Sequence, residues 1–450
     1  MTFDPEYVSR VLRENFEDAK TLFLSPLVAI HYAHLVMLRQ QDIINAADAH
    51  ALRDALDALP LADVKGASYD QACEDLFYYI ERLLVRSCGE DVAGRLRVAR
   101  SRNDIDMTMY RMRQREFIAA AAGAVLDLRD ALIDLASRHR ETFFAAHTHT
   151  QPAQPTTVAH YLLAIIEQLE RDTVRLRAAY ASTNKCPLGA CAITGTGFPI
   201  DRQLTSDLLG FDEPTGNTYG SIATVDYLLE SVAATQVMLA GLGRVVQDLL
   251  QWCTQEFGYL RLADGLVQGS SIMPQKRNPV ALEHARSIAS KAFGQAIAIS
   301  AAVHNTPFGD IVDTEDDLQP LVASMFGDAH RAVALVAASM RGAEFNIERM
   351  HAHAEEGAIT STEVADRLVR DENLPFSKAH ARAAAMGTSS ISAREFVEVR
   401  RTPGGPAPSE TTRALGVSAE LLRRDRAWLA DAGKKLERAD AQRRQRAATL

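Results

Sequence analysis

The sequence predicts an all-α protein organised around a bundle of long helices, and three observations carry that prediction. Alanine abounds while aromatic residues make up only 6% of the chain, a mixture that favours helices over strands. Five segments repeat apolar residues at the spacing of one helix face, as Leu242, Val245, Val246, Leu249 and Leu250 do at i, i+3, i+4, i+7 and i+8. The stretches rich in proline and glycine, where a helix cannot continue, fall between those segments and hold the chemically able side chains.

At 450 residues the chain exceeds the usual size of a single core, and its sequence divides into three regions. Residues 1–104 read as short helices: Leu22, Leu24, Leu27, Val28, Ile30, Ala33, Leu35 and Leu38 form an apolar stripe too continuous for one solvent-facing helix. Leu76, Ile80, Leu83 and Leu84 repeat the pattern. Residues 105–355 form the bundle. Its first helix runs to about residue 140 without a proline and is capped by Ser101 or Asn103. Pro152 and Pro155 lie in the loop that follows, and the next helix opens near Thr157. Further helices are expected over 225–257, 280–303 and 318–341. Apolar surface on more than one side of such helices implies burial against other subunits. In residues 356–450 the helices shorten. Ser361 and Thr362 cap one, Pro375 breaks it, 402–408 is a loop, and the arginine-rich tail from Ser418 reads as a helix with a solvated face.

Composition narrows the function. A net charge of -9, from 58 acidic and 49 basic residues, argues against a dedicated nucleic-acid binder. Five scattered cysteines without a C-x-x-C spacing point to a reduced, cytoplasmic setting. The N-terminus has no signal-peptide pattern, and the longest nearly apolar runs stop short of the roughly 20 residues that span a bilayer, so no membrane partner is expected. No G-x-S-x-G elbow, Walker sequence or G-x-G-x-x-G spacing occurs, and no cofactor is expected.

Three segments carry chemistry. In 268–279 (Gln-Gly-Ser-Ser-Ile-Met-Pro-Gln-Lys-Arg-Asn-Pro), the hydroxyls of Ser270 and Ser271 lie near Lys276, Arg277 and Asn278. A hydroxyl is a poor base at neutral pH, so the segment makes chemical sense when donors stabilise its deprotonated form or a developing substrate anion; otherwise it is a plain helix connection. In 95–104 four arginines fall within eight residues, either as a solvated face or with one as a bidentate clamp for a carboxylate. In 146–155 the pair His147 and His149 lacks a third metal ligand at recognisable spacing, which favours an acid/base histidine over a metal site.

From Gly269 to Pro279 the chain resembles the defining segment of the fumarase/aspartase superfamily. Glu256-Phe257-Gly258-Tyr259 and Leu282-Glu283 resemble its argininosuccinate lyase branch, as do Arg100-Ser101-Arg102-Asn103-Asp104 and Thr148-His149 with Gln151 and Ala153-Gln154-Pro155, in the family's order. The resemblance implies a three-domain homotetramer with a twenty-helix core, each active site drawing on three subunits, and anti elimination of fumarate from an N-substituted aspartate. It implies that Ser270 takes the proton, that Lys276 and Asn278 hold the resulting charge, and that His149, oriented by Glu283, serves the leaving nitrogen. Ser101, Arg102, Asn103, Thr148, Gln154, Ser271 and Met273 would contact the substrate. The family's pattern is broken on the amine side: Arg97-Val98-Ala99 replaces His-Thr-Gly, Ala223-Thr224-Val225-Asp226-Tyr227 loses an arginine, and 307–316 lacks a lysine and a glutamine. The third domain is abbreviated between Met386 and Arg401. The expected leaving amine is therefore one that differs from arginine, as in ethylenediamine disuccinate lyase, with Asp310, Asp313, Glu315 and Asp316 suited to a cation. The alternatives are argininosuccinate lyase itself, a non-catalytic homologue like the lens crystallins, and a metal hydrolase using His147 and His149.

Overall fold

The computed structural model describes residues 3–387 and 391–450; Met1, Thr2 and part of the abbreviated 386–401 stretch lie outside them. Five long helices form the centre: α1 (Arg102–Arg138), α2 (Val158–Thr183), α3 (Asp226–Trp252), α4 (Val280–Val303) and α5 (Gln319–Arg341). Each packs on the next, and α5 closes the ring against α1. Successive helices alternate in direction, so an odd number leaves α5 parallel to α1. Phe117 of α1 stacks on Phe326 of α5 across that last seam, with ring centroids 5.8 Å apart.

This alternation fixes which segments meet. The start of α1, the end of α4 and the start of α5 share one end of the bundle. The end of α1, the start of α2, the end of α3, the start of α4 and the end of α5 share the other. With 37 residues in α1, the two ends stand about 55 Å apart at 1.5 Å per residue.

Where a loop was expected after α1, the chain forms an antiparallel hairpin, β1 (Phe143–Thr148) and β2 (Gln151–Thr157). Thr148 faces Gln151, which leaves His149 and Thr150 as a two-residue turn. Both have positive φ, 50° and 64°, as a hairpin loop that follows the strands' twist requires. Pro152 and Pro155 are tolerated because a two-stranded ribbon consists only of edges.

The tail also differs from expectation. It forms α6 (Pro408–Ala447), a 40-residue helix lying along α1 and α2 and reaching the N-terminal helix Leu24–Gln40. Arg129 of α1, fully buried, donates to Asp425 of α6 at 2.5 Å and to Thr173 of α2 at 3.3 Å. Leu415, Leu422 and Ala439 turn inward while Arg423 and Arg424 face outward, so a mostly polar sequence still docks one side. Residues 354–397 instead gather a small separate core of Ala354, Val364, Ala365, Ala379, Ala383, Phe396 and Val397, with Phe143 of the hairpin packed into it.

Two parts of the bundle are long and apolar enough to cross a membrane by length and composition: α3, and the span Val312–Arg341 that contains α5. This corrects the expectation that the longest nearly apolar runs stop short of a bilayer's span: scattered polar residues interrupt these windows, yet their mean hydropathy is 1.2 and 1.3. Only 44% and 50% of those windows are buried within the chain. Val237 on α3 and Ile297 on α4 are about half exposed, so apolar surface remains on the outside of the ring.

Candidate active site

At the first end of the bundle, Ser101 is the N-cap of α1. Its backbone N–H donates to Asp104 Oδ1 at 2.9 Å, one half of a capping box. The other oxygen of Asp104 accepts the N–H groups of Gly189 (2.8 Å) and Cys191 (2.9 Å), which ties the loop after α2 to the start of α1. Burial pushes the Asp104 carboxyl up to about 6, against the pull of those three donors. The Ser101 hydroxyl donates to Asn103 Oδ1 at 2.7 Å, and Asn103 Nδ2 donates to Asp310 at 2.5 Å.

Around this line stands a group of carboxylates. The Tyr110 hydroxyl donates to Asp316 at 2.8 Å, and Glu315 is hydrogen-bonded to Asp310. Burial, then Asp310 and Asp316, raise Glu315 to about 7. Burial and the neighbouring Asp316, Asp75 and Glu315 hold Asp106 well above the usual carboxylate range. The four arginines of the motif are neither all solvated nor free clamps. Arg95 and Arg97 pair with Asp48 and Glu81. Arg102 pairs with Asp75 at 2.7 Å and Glu74 at 2.9 Å. Arg100 Nη1 donates to His31 Nδ1 at 2.9 Å, and burial lowers its guanidinium to about 10. Burial and Arg100 also drive His34 down to about 3, so a neutral His34 donates Nε2–H to the Val98 carbonyl at 2.8 Å.

At the far end, the segment from 268 to 278 is a closed loop. Gln268 and Asn278 exchange backbone hydrogen bonds of 2.8 and 3.0 Å across its base. Arg277 anchors that base to Asp264 (2.7 Å) and to the Leu262 carbonyl (3.1 Å), a structural task in place of the anion-donor role considered for it. At the top, Ser270 Oγ accepts the N–H groups of Met273 (3.2 Å) and Ile272 (3.4 Å). Donors aimed at this oxygen favour its deprotonated form. Ser271 and Met273 are exposed, and Ile272 reaches 83% exposure. Among the described residues, the side chains of Lys276, Asn278 and Glu283 and the ring of His149 have no hydrogen bond or ion pair within the chain.

Of the other expected contacts, Gln154 Nε2 donates to Thr362 Oγ1 at 3.0 Å, joining the hairpin to the small domain. Thr148 sits beside the turn that presents His149. His147 Nδ1–H donates to the Ala145 carbonyl (2.9 Å), and among the described residues no group of three His, Cys, Asp or Glu could hold a metal. One chain thus brings together Ser101, Arg102, Asn103 and the acidic segment at one end. It brings the loops of Thr148, His149, Ser270, Lys276, Asn278 and Glu283 to the other end, about 55 Å away along α1. His149 and Glu283 do not touch within one chain. Tyr110, Asp106 and the Asp75–Arg102 pair were missed in the sequence; Tyr110 and Asp106 lie inside an unbroken helical pattern, while the signal for Asp104 was its place three residues after Ser101.

Residues 23–294 match the family model of the lyases. The chain is 42% identical over 389 residues to argininosuccinate lyase 2 of Agrobacterium fabrum, covering 86% of this chain and 77% of that protein. It is 36% identical over 434 residues to argininosuccinate lyase of Methanoculleus marisnigri, covering 89% and 87%. Among solved structures, EDDS lyase in complex with formate superposes with a TM-score of 0.85 at 28% identity, covering 100% of this chain and 96% of that one. A variant of the same enzyme, with bound fumarate, gives 0.84. The match to the lyase model over more than half of the chain, the identity to these argininosuccinate lyases and the helical fold shared with EDDS lyase place the chain in the argininosuccinate lyase family of the fumarase/aspartase superfamily, as a carbon–nitrogen lyase.

Proposed function

We propose that this chain catalyses the reversible anti elimination of fumarate from an N-substituted L-aspartate whose leaving amine is a cation other than arginine. The observation that carries the reading is the Asn103–Asp310 hydrogen bond, 2.5 Å long. Through it, the motif that the family resemblance assigns to the substrate's carboxylates touches the acidic segment that stands where the family binds its amine. Asp310, Glu315 and Asp316 supply negative charge for an ammonium group, and the lysine usual in that segment is missing.

In this reading Ser270, with backbone donors already pointed at Oγ, removes the proton from the carbon beside the carboxylate. Lys276 and Asn278, whose side chains have no partner among the described residues, stabilise the aci-carboxylate that develops. His149, oriented by Glu283 of another copy, hands a proton to the departing nitrogen from the opposite side of the substrate. Ser101, Arg102, Asn103 and Thr148 hold the carboxylates, and Gln154, Ser271 and Met273 close round them. The exposed Ser270 loop acts as a lid.

The two ends of one chain cannot serve one substrate, so the site is completed between copies, in a homotetramer whose interfaces use the outer apolar faces of α3, α4 and α5. A second reading, argininosuccinate as the substrate, is favoured by the names of the relatives, because arginine is itself cationic.

Fumarate formation from argininosuccinate, followed by ultraviolet absorbance, separates these readings. We expect slow or no release there, and fumarate consumption when the enzyme is offered a panel of diamines. Fast release would establish the second reading. Inertness in both directions would leave the non-catalytic homologue.

A further inference from the structure

A cavity of about 500 Å³ lies between the N-terminal helices and the last turn of α6, and none of its lining residues belongs to either half of the candidate active site. Its volume falls in the range of small-molecule sites. Leu24, Val28 and Ala29 form one wall, successive turns of a single helix face, and Leu61 and Ala447 complete the apolar part. Leu61 is 38% exposed there, so the wall is open to a ligand.

The polar part is unbalanced. Arg53, Lys65, Arg443 and Arg444 line the cavity against only two carboxylates, Asp57 and Asp440. Those carboxylates are already engaged: Asp440 pairs with Arg443 and Arg444, and Asp57 accepts the Tyr32 hydroxyl at 2.6 Å. The surplus lies with the donors. Arg53 pairs through its terminal nitrogens with Asp54 (2.8 Å) and Asp57 (3.6 Å), but its Nε is buried without a partner among the described residues, and Lys65 has no hydrogen bond or ion pair among them. A buried N–H left unpaired costs about 1–3 kcal/mol, which an anionic acceptor would recover.

We propose that this cavity binds an amphiphilic organic anion, a carboxylate carrying a hydrocarbon chain. The chain lies along Leu24, Val28 and Leu61, and the carboxylate meets Lys65 and Arg53. Because three separate segments build the cavity, the ligand ties the end of α6 to the N-terminal helices. Occupancy therefore raises the melting temperature with concentration.

Calorimetric titration of the full-length enzyme with octanoate, in saturating fumarate to occupy the active site, tests this. One octanoate per chain is expected, with octan-1-ol and octylammonium at least about 10-fold weaker, the equivalent of one charge-assisted contact. Lys65→Glu should weaken octanoate by a similar factor with fumarate turnover unchanged, and Ala29→Trp, which fills the cavity, should remove binding. No heat with octanoate, binding untouched by Lys65→Glu, or octan-1-ol binding as tightly as octanoate would each overturn the proposal. Lys65 is exposed, so that variant decides even where Ala29→Trp fails to fold.

Discussion

Asn103 and Asp310 meet at 2.5 Å at one end of the bundle, whereas at the other His149 sits at a hairpin tip and Lys276 on an exposed loop, both without a side-chain partner among the described residues. The first end is prepared before any substrate arrives. Ser101, Asn103, Glu315 and Asp316 are half-buried and hydrogen-bonded within this end, and Glu315 and Asp106 are shifted in acidity by burial and by neighbouring carboxylates. The second end leaves the side chains of His149, Lys276, Asn278 and Glu283 unengaged among the described residues, and it carries local strain, since His149 and Thr150 both hold a positive φ that costs about 1 kcal/mol or more in a residue with a Cβ. The difference teaches where recognition and chemistry divide. Groups held by one another suit the binding of a shaped, charged substrate, and side chains left unpaired suit proton transfer once a second copy closes the site.

The largest expected effect is at the second end. Ser270→Ala should lower kcat by about 10²–10⁴-fold, the usual contribution of a positioned base, while sedimentation shows the same assembly as the parent. Retained turnover would remove Ser270 from its assigned role. The division between ends can itself be broken open. Refolding Ser270→Ala together with Asn103→Ala should give mixed assemblies in which some sites carry an intact Ser270 from one chain and an intact Asn103 from another. Activity at least about 10-fold above either parent is expected, because each parent lacks a group of that order. Activity no higher than the parents' would mean that one chain builds its own site, although these residues stand at opposite ends of a bundle whose α1 is about 55 Å long.

A smaller effect sharpens the amine half. Asp310→Asn should raise KM for the amine roughly 10- to 100-fold, the loss of a hydrogen bond to a charged group worth about 1.5–3 kcal/mol, and leave KM for fumarate within about twofold. Glu315 adds a pH signature. With its carboxyl raised to about 7, it is neutral below that pH and attracts a cationic amine less, so KM for the amine should rise as pH falls through about 7. The linked effect on stability has the opposite sense. A carboxyl held above its ordinary 4.5 favours the fold when protonated, so its contribution declines as pH rises from about 4.5 through 7. A pH-independent KM from 6 to 8 would take Glu315 out of the amine pocket.

How far the sequence exposes this arrangement depends on the range of the interactions. The five bundle helices were legible because their apolar period is local, and α4 begins and ends at the residues where that period does, Val280 and Val303. The reactive loops were legible for the opposite reason, since proline and glycine interrupt the period there. The hairpin was hidden, because a two-residue turn built on His149 and Thr150 lacks the asparagine or glycine that marks such turns. The docking of α6 was hidden too: Arg129 and Asp425 are 296 residues apart, and nothing in a polar helix announces that one buried arginine will hold it. The acidic residues at 310–316 could be read as charge but not as partners of Asn103, which is a contact across 207 positions.

The smallest effect tests whether the first end is as rigid as its bonding implies. Asp104 accepts three N–H groups through two oxygens, and an asparagine can accept through only one, so Asp104→Asn leaves the Ser101 N–H or the loop at 189–191 facing an amide NH₂. The charge works in the other direction. The rise of the Asp104 carboxyl from 3.8 to about 6 means that ionising it in the fold costs about 3 kcal/mol above pH 6, a cost the asparagine avoids. Since the folded chain holds this proton more tightly than the unfolded one, the parent loses that stability as pH rises from about 4 through 6, and the variant does not. The variant should therefore melt well below the parent at pH 4.5 and approach it at pH 7.5. A deficit that stays constant across this interval would mean that Asp104 is ionised throughout, and that its three donors outweigh its burial.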